Sequence, residues 1–319
     1  MSTRPHVSVV VPSYGRPLDL GRCLAALGAQ RSALAEVIVV TREGDDETAD
    51  AARAASAAHG LTLTIATVHT PGHLPPLQAG IAAARSEVVA FIDDDCEPWA
   101  GWAEQLAGHY LDSTVGGVGG LVVQPGVSDR LTAERIGKFG VVPRLARTFS
   151  ARIPSRWGAR NVDVIAGGNM SYRADLLREY VWDARMNRGA ATDYEVHLAA
   201  FVRGRGYRIV YDPDAIVTHY IAPRVDLGRN RSASEIFDYS HNLVYVAGRS
   251  FGPIRATLAI ADALFVGNRF SYGFATAAYD LMRQGRPSFR NQIAPSFAGK
   301  LAGLASLIAY GRDGVEPLP

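Results

Sequence analysis

Three consecutive carboxylates, Asp93, Asp94 and Asp95, directly follow the apolar run Val88–Ile92. An apolar run without polar alternation is typical of a strand that is covered on both faces, so the acids are expected at the rim of a sheet. Neighbouring carboxylates raise each other's pKa unless a cation joins them, and a hard divalent ion is their natural partner. The alternative interpretation of this stretch is a solvated acidic turn.

The segments around these acids alternate between strand and helix patterns. Strands are predicted at 7–12, 36–40, 61–68 and 88–92, with helices at 18–27, 47–59 and 77–84. This alternation is typical of an α/β fold in which helices flank a mainly parallel central sheet. Ligands bind such sheets beyond the carboxyl ends of the strands, which is where the three aspartates are expected.

The composition excludes several classes of protein. The chain has 319 residues, of which 48% are hydrophobic and 20% charged, with a net charge of +2. This balance is unlike that of a disordered protein and predicts no nucleic-acid partner. Two cysteines, Cys23 and Cys96, fit a reducing compartment. With neither a leader pattern nor a run of about 18 uninterrupted apolar residues, we expect a cytoplasmic protein or one peripheral at the inner face of the membrane.

Enzymes that bind dinucleotides share this alternation of strands and helices. Their Gly-x-Gly-x-x-Gly turn does not follow the first strand, where the chain reads Pro12-Ser13-Tyr14-Gly15. The glycine cluster at 116–120 lacks the spacing and is predicted to stand before a strand. A nicotinamide or flavin cofactor is therefore disfavoured.

Five segments resemble, in order, the successive motifs of the family 2 glycosyltransferases. They are VVVPSY at 9–14, FIDDD at 91–95, GGNM at 167–170, TDYE at 192–195 and VTH at 217–219. The resemblance covers about residues 6–250 and implies a GT-A fold. It also implies an inverting, metal-dependent transfer of a hexosyl or deoxyhexosyl group from a nucleotide-diphosphate sugar to a hydroxyl of a glycan, a lipid-linked acceptor or a small molecule.

Two other functions stay open as alternatives. A sugar nucleotidyltransferase has a related fold, but its usual Gly-rich, Lys-bearing first loop is missing from 12–17. A non-catalytic carbohydrate-binding protein could descend from the enzyme, although it would have no chemical need for all of the acids and the histidine in the motifs.

The resemblance implies a role for each motif. Asp95 would bind Mg²⁺ or Mn²⁺, Asp93 would face the donor ribose or help to hold the metal, and His219 could join this metal site. Asp193 would be the general base that takes the proton from the acceptor hydroxyl. The donor nucleotide would be bound by Pro12, Ser13, Tyr14, Arg16, Thr41, Asp93, Asp94, Gly168 and Asn169.

Each of these assignments has a structural alternative. Asp193 could be the N-cap of a helix, and His219 could be a strand-end histidine whose ring is hydrogen-bonded. Gly167–Met170 could be a tight turn. Trp99 is a candidate residue of the diphosphate or acceptor side, and its alternative role is packing.

Several features of the chain bear on donor and acceptor. The second strand ends in Thr41 and Arg42, where many family members have an acid that contacts the base, so the choice of base is open. Thr192 lies where many family members have a glutamate, and Cys96 lies where many have an acid.

Arginines between 131 and 160 could belong to a solvated connection or to a loop that meets an anionic acceptor. Three others could reach the diphosphate, namely Arg224, Arg229 and Arg231.

A catalytic domain is predicted at 1–235, with a nucleotide-binding half at about 1–115 and an acceptor half at about 116–235. A helical extension follows at 236–319, with apolar helices predicted at 254–266 and 297–310. These helices could pack on the catalytic domain or pair in a homodimer, and the alternative is contact with a membrane surface. Donor sugar, acceptor and linkage depend on a few loop side chains that the motifs do not specify.

Overall fold

The computed structural model describes residues 5–125, 158–222, 232–284, 289–311 and 313–319. In these residues the strands are β1 (Val7–Pro12), β2 (Leu34–Arg42), β3 (Leu63–Val68), β4 (Val88–Ile92), β5 (Cys96–Pro98), β6 (Val115–Val123), β7 (Arg160–Val162), β8 (Asn169–Arg173) and β9 (Arg208–His219). The helices of the first 222 residues are α1 (Pro17–Gly28), α2 (Asp46–His59), α3 (Leu74–Ala83), α4 (Trp102–His109), α5 (Ala174–Glu179) and α6 (Tyr194–Gly204). The C-terminal helices are α7 (Ala233–Ser250), α8 (Pro253–Phe265), α9 (Phe274–Gln284) and α10 (Ala294–Tyr310).

The strands form one sheet in the order β3-β2-β1-β4-β8-β6-β9-β5, and β7 pairs with β9. Strands β3, β2, β1 and β4 are parallel to one another. Strand β8 is antiparallel to both β4 and β6, whereas β6 and β9 are parallel. The predicted α/β architecture is confirmed, and the carboxyl ends of β1, β2, β3 and β4 meet at one edge.

Alternate side chains of the central strands enter two hydrophobic clusters, one on each face of the sheet. In β1, Val9 and Val11 pack with α1 and α4, whereas Val10 faces α3. In β4, Phe91 lies in the same cluster as Val10, and Ile92 lies in the same cluster as Val9 and Val11. Because both faces are covered, β4 is apolar at every position and β1 at every position except Ser8, whose hydroxyl is bonded to Glu36, in agreement with the pattern predicted for 88–92.

Two local predictions are corrected by the structure. Helix α3 begins at Leu74 instead of residue 77, with two prolines in the first turn, where a missing N–H is tolerated. The glycine cluster lies inside β6 instead of before a strand. A Cβ on Gly120 would lie 1.8 Å from the carbonyl oxygen of Ala215, so these glycines permit close contact between β6 and β9.

The C-terminal extension contains the predicted helices and shares the core of the preceding residues. Helix α7 begins with a capping box between Ser232 and Glu235, and its Tyr245 lies in the same hydrophobic cluster as β4 and α6. Helix α10 packs closely on α7, since Cβ atoms on Gly299 and Gly303 would lie 2.2 and 2.7 Å from α7 carbonyl oxygens. The domain boundary at residue 235 stays a prediction.

One helical segment, Asn291–Tyr310, is long and apolar enough to cross a membrane by length and composition, with a mean hydropathy of 1.3. The search of the sequence for uninterrupted apolar runs did not find this segment, because polar residues such as Lys300 interrupt it. That lysine is buried, and its ammonium donates a hydrogen bond to the carbonyl oxygen of Tyr272. One third of the segment is buried, and the core helices of soluble proteins have the same composition.

Candidate active site

A cleft of about 350 Å³ opens at the edge where the carboxyl ends of β1 to β4 meet. Its lining comes from the ends of β1, β2, β3, β4 and β9 and from the loop at 189–193 before α6, here called the base loop. The lining residues include Pro12, Ser13, Tyr14, Arg16, Thr41, Arg42, Val68, His73, Asp93, Asp94, Asp95, Ala190 and His219. Asp93, Asp94 and Asp95 make one end of the cleft acidic, and the end where β1, β2 and β3 finish is lined by Pro12, Tyr14, Val40, Thr41, Arg42 and Val68.

At the acidic end, the loop after β1 is tied to the aspartates after β4. Ser13 Oγ donates to Asp94 Oδ2 at 2.7 Å, and Arg16 Nη1 donates to Asp94 Oδ1 at 2.9 Å. The same guanidinium nitrogen lies 3.3 Å from Asp95 Oδ2. Burial raises the pKa of Asp94 to about 7, although Arg16 and Ser13 act against this shift. Asp94 thus joins the loop after β1 to the end of β4.

Asp95 is held from the opposite side by the end of β9. His219 Nε2 lies 3.1 Å from Asp95 Oδ1, and the N–H of Ala222 donates to Asp95 Oδ2 at 2.8 Å. Burial would raise the pKa of Asp95, but its hydrogen bonds to His219 and Ala222 and the charge of Arg16 outweigh burial and lower that pKa. The carboxylate is therefore ionised at neutral pH, as a metal ligand must be.

Four side chains at this end could hold a metal ion. Ligand atoms of Asp93, Asp95, Cys96 and His219 all lie within 4.8 Å of one another. Two carboxylates and an imidazole suit a divalent ion such as Mg²⁺ or Mn²⁺. Cys96 fits less well, because its burial and the nearby Asp93 raise the pKa of its thiol.

Gly167 and Gly168 separate the acidic end from the start of α6. A Cβ on Gly168 would lie 2.7 Å from Asp93 Oδ2. A Cβ on Gly167 would lie 2.5 Å from the hydroxyl of Tyr194 and 2.9 Å from Glu195 Oε1. Only glycine fits at either position without moving a neighbour, so this loop sets the distance between Asp93 and α6.

The base loop has a strained backbone. Ala191 and Asp193 have φ values of 49° and 69°, and they are the non-glycine residues with positive φ in the described part of the chain. Asp193 occupies the N-cap position of α6, but its side chain makes no capping hydrogen bond. Strain of this kind costs about 1–3 kcal/mol per residue and is concentrated at functional sites.

Glu195, in the first turn of α6, stays mostly uncharged at neutral pH. Burial, with repulsion from Asp193 and Asp93, raises the pKa of this carboxyl to about 8. The backbone N–H groups of Gly167 and Glu195 act in the opposite direction. A protonated Glu195 adds no second negative charge beside Asp193.

The sequence of this chain matches the family model described as glycosyl transferase family 2 over residues 8–181. The chain belongs to this family. It is therefore a glycosyltransferase, and the expectation drawn from the motifs is confirmed. The match ends before the base loop and the C-terminal helices, so it covers the nucleotide-side residues and the three aspartates.

Two named relatives of this glycosyltransferase extend the likeness. The chain is 30% identical to the glycosyltransferase AglE of Haloferax volcanii over 224 residues, which are 70% of this chain and 69% of AglE. It is 28% identical to the pre-mycofactocin glycosyltransferase of Mycobacterium tuberculosis over 225 residues. That match spans 67% of this chain but only 42% of the relative.

Solved structures show that the family's GT-A fold is present. The mannosyltransferase PcManGT of Pyrobaculum calidifontis, determined with GDP-Man and Mn²⁺, aligns over 98% of this chain and 89% of its own, with a TM-score of 0.56 and 19% identity. TarS of S. aureus aligns over 88% of this chain and 46% of its own, with a TM-score of 0.56 and 14% identity. At these identities the likeness concerns the fold alone.

Most of the residues that the motifs predicted lie in the cleft of this glycosyltransferase. The structure brings together Pro12, Ser13, Tyr14, Arg16, Thr41, Asp93, Asp94, Asp95 and His219. Gly168 lies beside Asp93, where an added Cβ would be 2.7 Å from Oδ2, but it is not a lining residue of the cleft. Asp193 lies three residues beyond the lining residue Ala190. Arg224, Arg229 and Arg231 fall outside the described residues, as does the stretch 131–157.

Asn169 and Trp99 are placed away from the cleft. The buried Asn169 accepts a hydrogen bond from the indole of Trp102 at 2.8 Å and donates to the carbonyl oxygens of Leu121 and Ala215. Its amide thus joins α4, β6 and β9, which corrects the prediction that it contacts the donor. The indole of Trp99, which is 51% exposed, donates to Thr218 Oγ1.

Several lining residues were not predicted as site residues. They are Val40, Arg42, Val68, Gly72, His73, Pro76, Gly189, Ala190, Ile221 and Ala222. Arg42 had been noted only as a departure from the family pattern. The signal that could have found His73 was its position after β3, because loops at the carboxyl ends of parallel strands meet at one edge. Ile221 and Ala222 follow His219 in the chain, so any metal role for His219 brings them to the cleft.

Proposed function

We propose that this glycosyltransferase moves a sugar from a nucleotide-diphosphate donor to an acceptor hydroxyl with inversion and with a divalent metal ion. The observation that carries the proposal is one cleft in which the ends of β1 and β2 continue into the cluster of Asp93, Asp95 and His219. A nucleotide-diphosphate sugar fits this cleft if its diphosphate meets a metal ion at the acidic cluster and its nucleoside lies where β1 and β2 end.

Asp95, Asp93 and His219 would hold the metal ion. Bound there, a divalent cation supplies charge that stabilises the departing diphosphate, so no proton has to reach the leaving group. The likeness in fold to PcManGT, determined with GDP-Man and Mn²⁺, supports both a nucleotide-sugar donor and a metal. Arg16, which bonds Asp94 and Asp95, keeps the two carboxylates oriented toward the cleft.

Asp193 would take the proton of the acceptor hydroxyl as that oxygen attacks the anomeric carbon. A carboxylate within hydrogen-bond reach performs this task, and attack on the face opposite the diphosphate inverts the anomeric centre. The strain at Ala191 and Asp193 supports a functional role for the base loop.

The acceptor and the location of the enzyme belong to the same proposal. The exposed apolar side chains of α8, α9 and α10 include Ile254, Phe265, Phe274, Met282 and Ile308. They support peripheral contact of a cytoplasmic enzyme with a membrane that carries a lipid-linked acceptor, or a homodimer through these helices.

The test is a thermal-shift panel of UDP, GDP, dTDP and CDP, each with and without Mn²⁺, on wild type and Asp95→Ala. A ligand at about 100 times its Kd stabilises the folded state by about 2.7 kcal/mol. We expect at least one nucleotide to stabilise wild type only with metal, and Asp95→Ala to lose this effect. Asp50→Ala, an exposed acid on α2, is the matched control. If no nucleotide stabilises the wild type, the proposal fails.

Inversion has a separate test. With a sugar donor that carries the nucleotide identified by the panel, the anomeric configuration of the product is read from its proton NMR spectrum, because the new glycosidic bond does not mutarotate. An inverted product supports direct attack by the acceptor, whereas a retained configuration would contradict it.

A further inference from the structure

The chain on either side of the base loop contacts the loop at 69–73 between β3 and α3, here called the β3 loop. Asn187 lies two residues before the base loop, and Tyr194 follows it directly. Since the base loop carries Asp193, an inference about these contacts rests on the proposed function.

The side chain of Asn187 uses both ends of its amide. Its Oδ1 accepts a hydrogen bond from the N–H of Leu74 at 3.2 Å, and its Nδ2 donates to the carbonyl oxygen of Pro71 at 3.0 Å. Leu74 is the first residue of α3, where the N–H groups have no partner within the helix. The Asn187 amide thus joins the β3 loop to a segment more than 100 positions away in the chain.

The backbone of Gly72 leaves room for this amide. Its φ is 122°, a conformation that residues with a side chain rarely adopt, and an added Cβ would lie 2.2 Å from Asn187 Oδ1. A larger residue at this position would displace the amide, so the β3 loop is shaped to receive Asn187.

The chain around Asn187 is itself anchored. The carbonyl oxygen of Met186 accepts from Asn242 Nδ2 on α7 at 3.0 Å, and the N–H of Asn187 donates to the carbonyl oxygen of Ala184 at 3.0 Å. Asn187 therefore links a segment held by the C-terminal helices to the β3 loop.

A second contact lies at the other end of the base loop. The rings of His73 and Tyr194 are 5.3 Å apart, and the buried Tyr194 begins α6 directly after Asp193. Within the loop, the N–H of Ala191 donates to the carbonyl oxygen of Arg188 at 2.8 Å. The interior of the base loop is thus held by its own backbone, and both of its flanks contact the β3 loop.

The β3 loop and the base loop both line the cleft. Gly72 and His73 contribute from one side and Gly189 and Ala190 from the other, whereas Asn187 is not a lining residue. Asn187 therefore influences a bound donor through the spacing of the two loops. Reacting groups must meet within about 3–3.5 Å, and a displacement of about 1 Å can lower the rate about 10²-fold.

We propose that Asn187 is a positioning residue that holds the base loop against the β3 loop and thereby aligns Asp193 with the donor and the acceptor hydroxyl. It acts through Asp193, and nucleotide binding at the ends of β1 and β2 does not depend on it.

The experiment compares wild type, Asn187→Ala, Asp193→Asn and the double variant. The control is Asn161→Ala, because Asn161 is an exposed asparagine outside the cleft whose Oδ1 accepts from Arg208. The kcat is measured as nucleotide release from UDP-glucose, GDP-mannose and dTDP-glucose at saturating Mn²⁺, with water as the acceptor. Calorimetry gives the Kd of UDP, GDP and dTDP for the same proteins.

We expect Asn187→Ala to lower kcat about 10–100-fold while the Kd of the nucleotide stays within about threefold of wild type. In the Asp193→Asn background, the loss of Asn187 should lower kcat by no more than about twofold, because a base that is absent cannot be misaligned. Asn161→Ala should behave as wild type in both measurements.

Asn187→Asp guards against a variant that does not fold. Aspartate has nearly the size of asparagine and keeps an acceptor for Leu74, but it cannot donate to the carbonyl oxygen of Pro71. It should show the same separation of kcat from Kd. If the melting temperature shows that Asn187→Ala is unfolded, Asn187→Asp decides the outcome.

Hydrogen exchange gives a readout that needs no turnover. In Asn187→Ala, amides at 70–74 and 188–194 should exchange faster than in wild type, while those at 93–98 keep the wild-type rate. This measurement decides the outcome if wild type hydrolyses none of the three donors.

Three results would overturn the inference. They are a kcat near that of wild type in Asn187→Ala, a loss of kcat that is as large in the Asp193→Asn background, and unchanged exchange at 188–194. If any of them is found while a nucleotide binds with Mn²⁺, the transferase proposal stands and only this inference fails. If no nucleotide binds to wild type, both fail.

Discussion

The acidic end of the cleft and the base loop are positioned by different means. Asp94 and Asp95 follow a buried strand, and their oxygens bond Ser13, Arg16, His219 and Ala222. The base loop instead depends on backbone conformation, since two non-glycine residues have positive φ and Asp193 makes no capping hydrogen bond. A network of side chains thus orders the acidic end, whereas the base loop shows backbone hydrogen bonds, such as the one from the Ala191 N–H to the carbonyl oxygen of Arg188, and a fully buried Ala191.

The acidic end and the base loop should therefore respond differently to amino-acid substitutions. At the acidic end, a change in one side chain disturbs several partners in the network, and metal binding and nucleotide binding should change together. In the base loop, a change of one functional group should leave donor binding intact and affect the chemical step alone. The predictions below test that separation.

The largest effect is expected from Asp193→Asn. Loss of a general base lowers kcat by about 10²–10⁴-fold, while the Kd of the nucleotide with Mn²⁺ should stay within about twofold of wild type. The measurement is nucleotide release at saturating donor and acceptor, beside calorimetry.

Glu195→Gln is the matched change for this prediction, because it also turns a carboxyl into an amide at the start of α6. Since Glu195 is mostly protonated at pH 7, its kcat there should change by only a few fold. An Asp193→Asn enzyme with a kcat within tenfold of wild type would remove Asp193 from the role of base.

Gly168→Ala should disturb the acidic end through its backbone contact. The new Cβ would lie 2.7 Å from Asp93 Oδ2, and an overpacked contact of this kind costs about 1–3 kcal/mol. We expect lower stability in urea unfolding and a weaker effect of Mn²⁺ on nucleotide binding, because Asp93 must move.

Gly204→Ala is the control, since a Cβ at that position in α6 meets no atom within 4 Å. It should be neutral or stabilise the helix by up to about 1 kcal/mol. Equal metal dependence in Gly168→Ala and wild type would show that the position of Asp93 does not depend on this glycine.

The nucleotide-side half of the fold was predictable from the sequence for a physical reason. Continuous apolar runs such as Val88–Ile92 occur where both faces of a strand are covered, so they identify the central parallel strands directly. The antiparallel β8 and the pairing of β5 with β9 were not predictable. They depend on long-range contacts, such as Cys96 opposite His219, that leave no local pattern.

The same distinction applies to the site. Asp95 was found because its strand is recognisable and the carboxyl ends of parallel strands meet at one edge, whereas Ser13 was named by the resemblance to the family motifs. The burial of Asn169 was not predictable, since its partners Trp102, Leu121 and Ala215 are at least 46 positions away in the chain. Nor does residue type reveal positive φ at Ala191, because alanine rarely adopts it.

Lowering the pH should reduce the free energy of unfolding through His197 in α6, the helix that follows the base loop. Burial in α6 lowers the pKa of His197 from 6.5 to about 4. The groups around it are the Tyr180 hydroxyl, 2.6 Å from Nδ1, and the charges of Arg249 and Asp183. The folded pKa lies below the unfolded one, so the unfolded state binds more protons. The stability is present above pH 6.5 and is lost as the pH falls toward 4.

Between pH 7 and pH 5 this histidine should account for a loss of about 1–2 kcal/mol in the free energy of unfolding. His197→Gln keeps an acceptor for Tyr180 but does not titrate, so its urea midpoint should fall less over that range. An identical pH dependence of variant and wild type would show that His197 is not held neutral in the folded protein.

The smallest effect is expected from Ala191→Gly. Positive φ costs alanine about 1 kcal/mol or more, and glycine removes this cost, but glycine also makes the unfolded chain more flexible. Because the two terms oppose each other, we expect a stability change within about 1 kcal/mol by urea unfolding. Ala199→Gly, in the regular part of α6, has no strain to relieve and should destabilise by at least about 0.5–1 kcal/mol. Equal losses in the two variants would mean that the base loop is unstrained, and the contrast with the acidic end would then disappear.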